Sequence, residues 1–120
     1  MCVYCILNAG NQWLRGTGAD AGRIPGQIAS RLAGRTFETF SDFRRAFWQE
    51  VEKDPVLRQQ FGPNSLREMQ SGRAPFAPPS GQVGERVKYE LDHMDEIQNG
   101  GGVYDMHNII IRTPVNHIGK

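Results

Sequence analysis

Arg86-Val87-Lys88-Tyr89-Glu90-Leu91-Asp92-His93 decides how the rest of the chain is read. Tyr89, Leu91 and His93 alternate with Lys88, Glu90 and Asp92, the two-residue period of a half-buried strand. The stretch ends in Asp92-His93, two groups able to bind a cation or carry a proton. Gln98-Asn99-Gly100-Gly101-Gly102 then marks a flexible turn, and Asn108-Ile109-Ile110-Ile111 is a second apolar run. Thr113-Pro114 sets a proline where a short helix opens, and His117 follows within it. The expected order is strand, loop, strand, helix, with Asp-His, Asn and His placed along it.

Composition bounds the rest. A chain of 120 residues, 38% hydrophobic and 22% charged, suits one small domain with a modest core. No apolar run approaches the ~20 residues of a membrane-spanning helix. Val3 to Leu7 is too short, and lacks the basic flank, for a signal peptide. The net charge of +1 is small, but it is unevenly spread. Residues 1–75 carry ten Arg or Lys against seven acids, whereas residues 81–120 carry four against six. A basic body beside an acidic end suits a cation-dependent site acting on phosphate, and eleven of the fourteen basic residues are Arg, the better bidentate partner. Cys2 and Cys5 lack the four ligands of a zinc site and the strand-to-helix context of a redox pair, so no metal or redox role is expected of them, with a disulfide or an intermolecular zinc clip as the alternative.

Working outward, residues 8–23 read as a loop pinned by Trp13 and Leu14. Ile24-Pro25 opens a first helix, with Ile28 and Leu32 on its inner face, and Gly34 closes it. Ser41 is expected to cap a second helix whose stripe is Phe40, Phe43, Phe47 and Val51. At helical spacing these aromatics are core, not a base-stacking platform. Asp54-Pro55 signals a third short helix ending near Gly62-Pro63. Asn64 is expected to cap a fourth, through Met69, with Gly72 past its end. Residues 73–84, rich in proline and glycine, read as irregular.

The Asp-His, Gly-rich loop, Asn and His order resembles the HNH (ββα-metal) nuclease motif. The likeness extends from Trp13 to His117, where the chain resembles the DNase domain of colicins and S-type pyocins. It is carried by Phe40-Ser41-Asp42-Phe43-Arg44, Phe47-Trp48, Lys53-Asp54-Pro55, Ala74-Pro75-Phe76, Gln82-Val83-Gly84, Tyr89-Glu90-Leu91 and Gly102-Val103-Tyr104-Asp105-Met106. The resemblance implies an α+β fold, a small helical scaffold carrying a C-terminal ββα-metal motif. It divides the chain into an atypical segment 1–12, a helical part 13–72, a docking linker 73–84 and the HNH motif 85–120.

The activity implied is metal-dependent, largely sequence-nonspecific DNA cleavage by the toxic domain of a bacteriocin, released from its producer and acting in the target-cell cytoplasm. His93 would be the general base, Asn108 the brace of the loop, and Asp92 and His117 the ligands of one divalent cation. Arg86 would contact the scissile phosphate, with Glu90 orienting it. Phe76, Arg73 and Pro75 would meet an immunity protein, with the toxin itself a monomer. The family has His-His where this chain has Asp92-His93, and a further ligating His beyond the position of His117. The expectation is therefore a site that favours Mg²⁺ or Mn²⁺, with Zn²⁺ or Ni²⁺ possible, and binds weakly, in roughly the millimolar range. His107 is expected to face solvent, and Lys88 and Arg112 to be generic phosphate contacts. Two other readings stand beside this one: a general phage-type HNH nuclease, and a folded but inactive module that only binds DNA or an inhibitor.

Overall fold

The computed structural model describes residues 8–10, 13–14, 21–93 and 108–118. Its elements run β1 (Ala21–Arg23), α1 (Gly26–Leu32), α2 (Phe40–Lys53), α3 (Pro63–Gln70), β2 (Glu90–His93), β3 (Ile109–Arg112) and α4 (Pro114–Ile118), with 3₁₀ turns at Leu57–Gln60 and Pro79–Gly81. The three strands form one antiparallel sheet in the order β1-β3-β2. β2, β3 and α4 together are the expected ββα unit.

The helical half is built on α2. Phe43, Phe47 and Val51 are fully buried along one face, and Trp48 beside them is 2% exposed. Phe47 and Trp48 meet edge to face at 4.7 Å, and Trp13 closes on Phe47 at 6.1 Å. Large aromatic area of this kind dominates a small core. From the other side Leu91, Ile109 and Ile111 project off the sheet into the same core. Cross-strand register sets Leu91 opposite Ile111 and His93 opposite Ile109, so the alternation read from the sequence holds. Glu90, Asp92, Ile110 and Arg112 share the other face.

Three local expectations are corrected and a fourth is refined. Thr39, not Ser41, caps α2, its hydroxyl accepting from the Asp42 amide at 3.1 Å. Asp54 opens the expected third short helix, which is 3₁₀ and not α: its buried carboxylate accepts from the Val56 and Leu57 amides at 3.0 Å each. Gly62 precedes α3 and Pro63 starts it, so Asn64 lies inside the helix. The stretch 8–23 is not all loop, because Ala21–Arg23 pairs with the far end of β3. Leu14 donates to the buried Gln60 side chain, and the Trp13 indole donates to the Arg23 carbonyl at 2.7 Å, which holds that strand in place.

Residues 73–84 are less irregular than their composition suggests. The Ala77 amide donates to the Val87 carbonyl at 2.9 Å, and the Tyr89 amide to the Pro75 carbonyl at 3.1 Å, making a bridge of Phe76 with Lys88. This tie fixes the linker against the chain that enters β2.

Candidate functional site

β2 and α4 bring the chemistry together. Residues two apart on a strand share a face, so Glu90 and Asp92 stand side by side, and α4 lays His117 across both. The Nδ1 of His117 lies 2.8 Å from Glu90 Oε1, and its Nε2 lies 3.4 Å from Asp92 Oδ2. Thr113 positions the ring: its hydroxyl accepts from the Asn116 amide at 3.2 Å, and its carbonyl accepts from the His117 amide at 3.0 Å. Thr113 is fully buried against Gly81, where an added Cβ would lie 2.8 Å from its side chain. That glycine is required by close approach.

Arg86 grips Glu90 through Nε and Nη2, a bidentate pair. Foremost among its causes, this grip holds the Glu90 carboxyl below the usual carboxylate range, and it pushes the Arg86 guanidinium up. Asp92 is fixed at both oxygens. Oδ1 accepts from the His93 amide at 2.9 Å, while Oδ2 faces His117 and, at 3.3 Å, Arg112 Nη1.

His93 ends β2 on the opposite face from Asp92, and its ring lies 4.7 Å from that of Phe40 on α2. Asn108, buried, immediately precedes Ile109, the residue paired with His93. The structure thus clusters Arg86, Glu90, Asp92 and His117, and sets His93 and Asn108 at the adjoining strand ends. The guanidinium of Arg44 lies 5.5 Å over the Phe40 ring. A cavity of about 490 Å³ beside the cluster is lined by Arg44, Arg73, Lys88, Glu90 and His117 among others.

A cation fits these donors. With the Nδ1 side of the ring turned to Glu90, Nε2 and Asp92 Oδ2 stand together as a nitrogen and an oxygen donor. Asp92 and His117, 3.4 Å apart, would be the residues to hold such an ion. A carboxylate behind a ligating imidazole is the usual way its orientation is set. Among the described residues no larger group of His, Cys, Asp and Glu is arranged to hold a metal ion.

A family model described as the colicin/pyocin-S2 DNase domain matches residues 6–120. The chain belongs to this family. The DNase domain is 47% identical over 110 residues to colicin E2 of Escherichia coli, and 46% identical over 107 residues to pyocin S2 of Pseudomonas aeruginosa. Those alignments cover 91% and 88% of this chain but only 19% and 16% of the relatives, so it spans under a fifth of their length. Among solved structures it is similar to a pyocin AP41 DNase–immunity complex, at 34% identity and a TM-score of 0.87, covering 93% of this chain and 88% of that one. It is also similar to the mutant nuclease domain of pyocin S8 with its cognate immunity protein, at 38% identity and a TM-score of 0.85, covering 96% and 91%.

Of the DNase domain's remaining expected residues, Phe76 and Pro75 lie apart from the cluster, while Arg73 and Lys88 line the cavity beside it. Phe76 is 40% exposed, with its amide on Ser65 Oγ and the Lys88 ammonium 5.3 Å over its ring. Arg73 is exposed and paired in two bonds with Glu68, which also binds Lys88. Pro75 is buried, so its contribution is the carbonyl that Tyr89 uses. Arg112 is not a surface phosphate contact: it is 9% exposed and aimed at Asp92. A cation in a strand reads as solvent-facing, and only its register opposite Glu90 marks it otherwise. Cys2, Cys5, the glycine loop and His107 lie outside the described residues. No helix among those described is long and apolar enough to cross a membrane.

Proposed function

We propose that this chain is a metal-dependent DNA endonuclease, the toxic domain of a colicin- or pyocin-like bacteriocin that acts inside target cells and is checked by an immunity protein. The observation that carries the reading is His117 bridging Glu90 and Asp92, with Arg86 held on the same carboxylate.

In this reading Asp92 and His117 hold one divalent cation, Mg²⁺ or Mn²⁺ by the hardness of the carboxylate donor. When bound, such an ion supplies charge relief on the phosphoryl oxygen and on the departing 3′ oxygen. Arg86 spends two donors on Glu90, and its remaining N–H groups meet the phosphate. His93 takes the proton of the attacking water, its ring steadied by Phe40, and Asn108 braces the strand entry. Arg44, Arg73 and Lys88, around the cavity, meet the sugar–phosphate backbone. Contacts of that kind carry no base information, so cleavage is largely independent of sequence.

The same reading makes Phe76 the anchor for an immunity protein, as the complexes formed by the two pyocin nucleases suggest. It is an exposed aromatic held in place before binding, which lowers the ordering cost. The toxin domain acts as a monomer.

The test is nicking of supercoiled plasmid in EDTA, Mg²⁺, Mn²⁺, Ni²⁺ and Zn²⁺, with His93→Ala alongside. Cleavage that requires Mg²⁺ or Mn²⁺ and disappears in the variant is expected. A folded sample that nicks nothing in any metal would overturn the activity and leave a binding module.

A further inference from the structure

Arg112 stands on the central strand, between Ala21 of β1 and Glu90 of β2 in register, and its guanidinium is nine-tenths buried. Among the described residues its Nε and Nη1 make no hydrogen bond, although both are shut off from solvent. Buried donors of this kind are nearly always satisfied, and an exception calls for a cause. Among the described residues the anion that Nη1 faces is Asp92 Oδ2, at 3.3 Å. That oxygen also faces His117 Nε2, and the carboxylate cannot turn away because Oδ1 is held by the His93 amide.

We propose that Arg112 is a positioning residue, a resident counter-cation for Asp92 that competes with the metal ion for the same oxygen. Without metal, the guanidinium neutralises a carboxylate that would otherwise stand half-buried beside His117 Nε2. With metal, a fixed positive charge a few ångströms from a divalent ion in a partly buried site opposes its binding. The site is therefore kept in shape when empty and releases its ion readily. A mere brace would act in the opposite sense, since removing it would loosen Asp92 and weaken metal binding.

This inference rests on reading Asp92 and His117 as the metal pair, and the experiment separates the two. Free Mn²⁺ is followed by electron paramagnetic resonance during titration of the whole chain, Arg112→Gln, Arg112→Lys and His117→Ala. Arg112→Gln should bind Mn²⁺ about tenfold tighter or more, while Arg112→Lys stays near the parent. Equal or weaker binding by Arg112→Gln, where parent binding saturates and is lost in His117→Ala, overturns the role of Arg112 alone. No saturable binding by the parent takes down the metal pair and this inference with it. Should Arg112→Gln not fold, the ¹⁵Nε resonance of Arg112 in the unaltered chain must shift during a Mg²⁺ titration with the midpoint of Mg²⁺ binding. An unmoved resonance would sink the proposal.

Discussion

Glu90 joins the two halves of the site, because one carboxylate holds Arg86 on one side and the His117 ring on the other. Glu90→Gln keeps the shape but loses the charge that draws both partners. Removing such support behind a ligating imidazole costs about 10–100-fold in metal affinity or activity. Mn²⁺ binding and plasmid nicking should both fall by that factor, with the circular dichroism spectrum unchanged. That Asp92 and His93 end a strand and that His117 sits in a short helix was legible in the sequence, because the two-residue period and Thr-Pro mark those elements. The Glu90–His117 contact was not, since it joins β2 to α4 across a long separation. Arg112 was misleading for a related reason: a lone cation in an apolar run reads as exposed unless its partner across the sheet is known.

α4 has five described residues, far below the ~12–15 that a free helix needs, so its order comes from its anchors. Thr113 is the main one, at once the cap of α4 and a plug against Gly81. Thr113→Ala should lower stability by about 1 kcal/mol, as for other lost caps. It should lower Mn²⁺ affinity more than that loss alone explains, because the same bond aims His117. Thermal melting and Mn²⁺ titration of one preparation check this, and a full loss of stability with unchanged affinity would contradict it. Thr-Pro announced this helix in the sequence. β1 gave no such notice: Ala21-Gly22-Arg23 has no β-branched or aromatic residue, and is a strand only because β3 offers an edge. Ser41 and Asn64 misled because several residues near a helix start can cap it, and the geometry chose Thr39 for one and Gly62 for the other.

Across the molecule, the helical body and the ββα unit are joined by charge as well as by core. Glu68 on α3 receives Arg73 from the linker and Lys88 from the approach to β2. These bonds, Arg73 first, hold its carboxyl at about 2, below the ordinary 4.5. A lowered pKa contributes stability that is complete above the ordinary value and is lost as pH falls through the lowered one. The melting-temperature gap between the parent and Glu68→Gln should be constant above about pH 5. It should shrink as the pH falls from 4.5 toward 2. Added salt should narrow it as well, since the group lies near solvent. A gap that widened in acid would refute the assignment. The uneven spread of charge was legible in the sequence, but this joint was not, because its three members come from separate stretches of the chain.

The tie between linker and β2 is made of main-chain atoms: the amides of Ala77 and Tyr89 and the carbonyls of Val87 and Pro75. Such bonds are indifferent to which side chain occupies positions 73 or 76. Under the proposed docking, descendants of this chain can exchange those side chains, and so change the inhibitor they obey, while the strand that delivers Glu90 and Asp92 keeps its course. A toxin built this way is free to diversify in allegiance without being retuned as a catalyst.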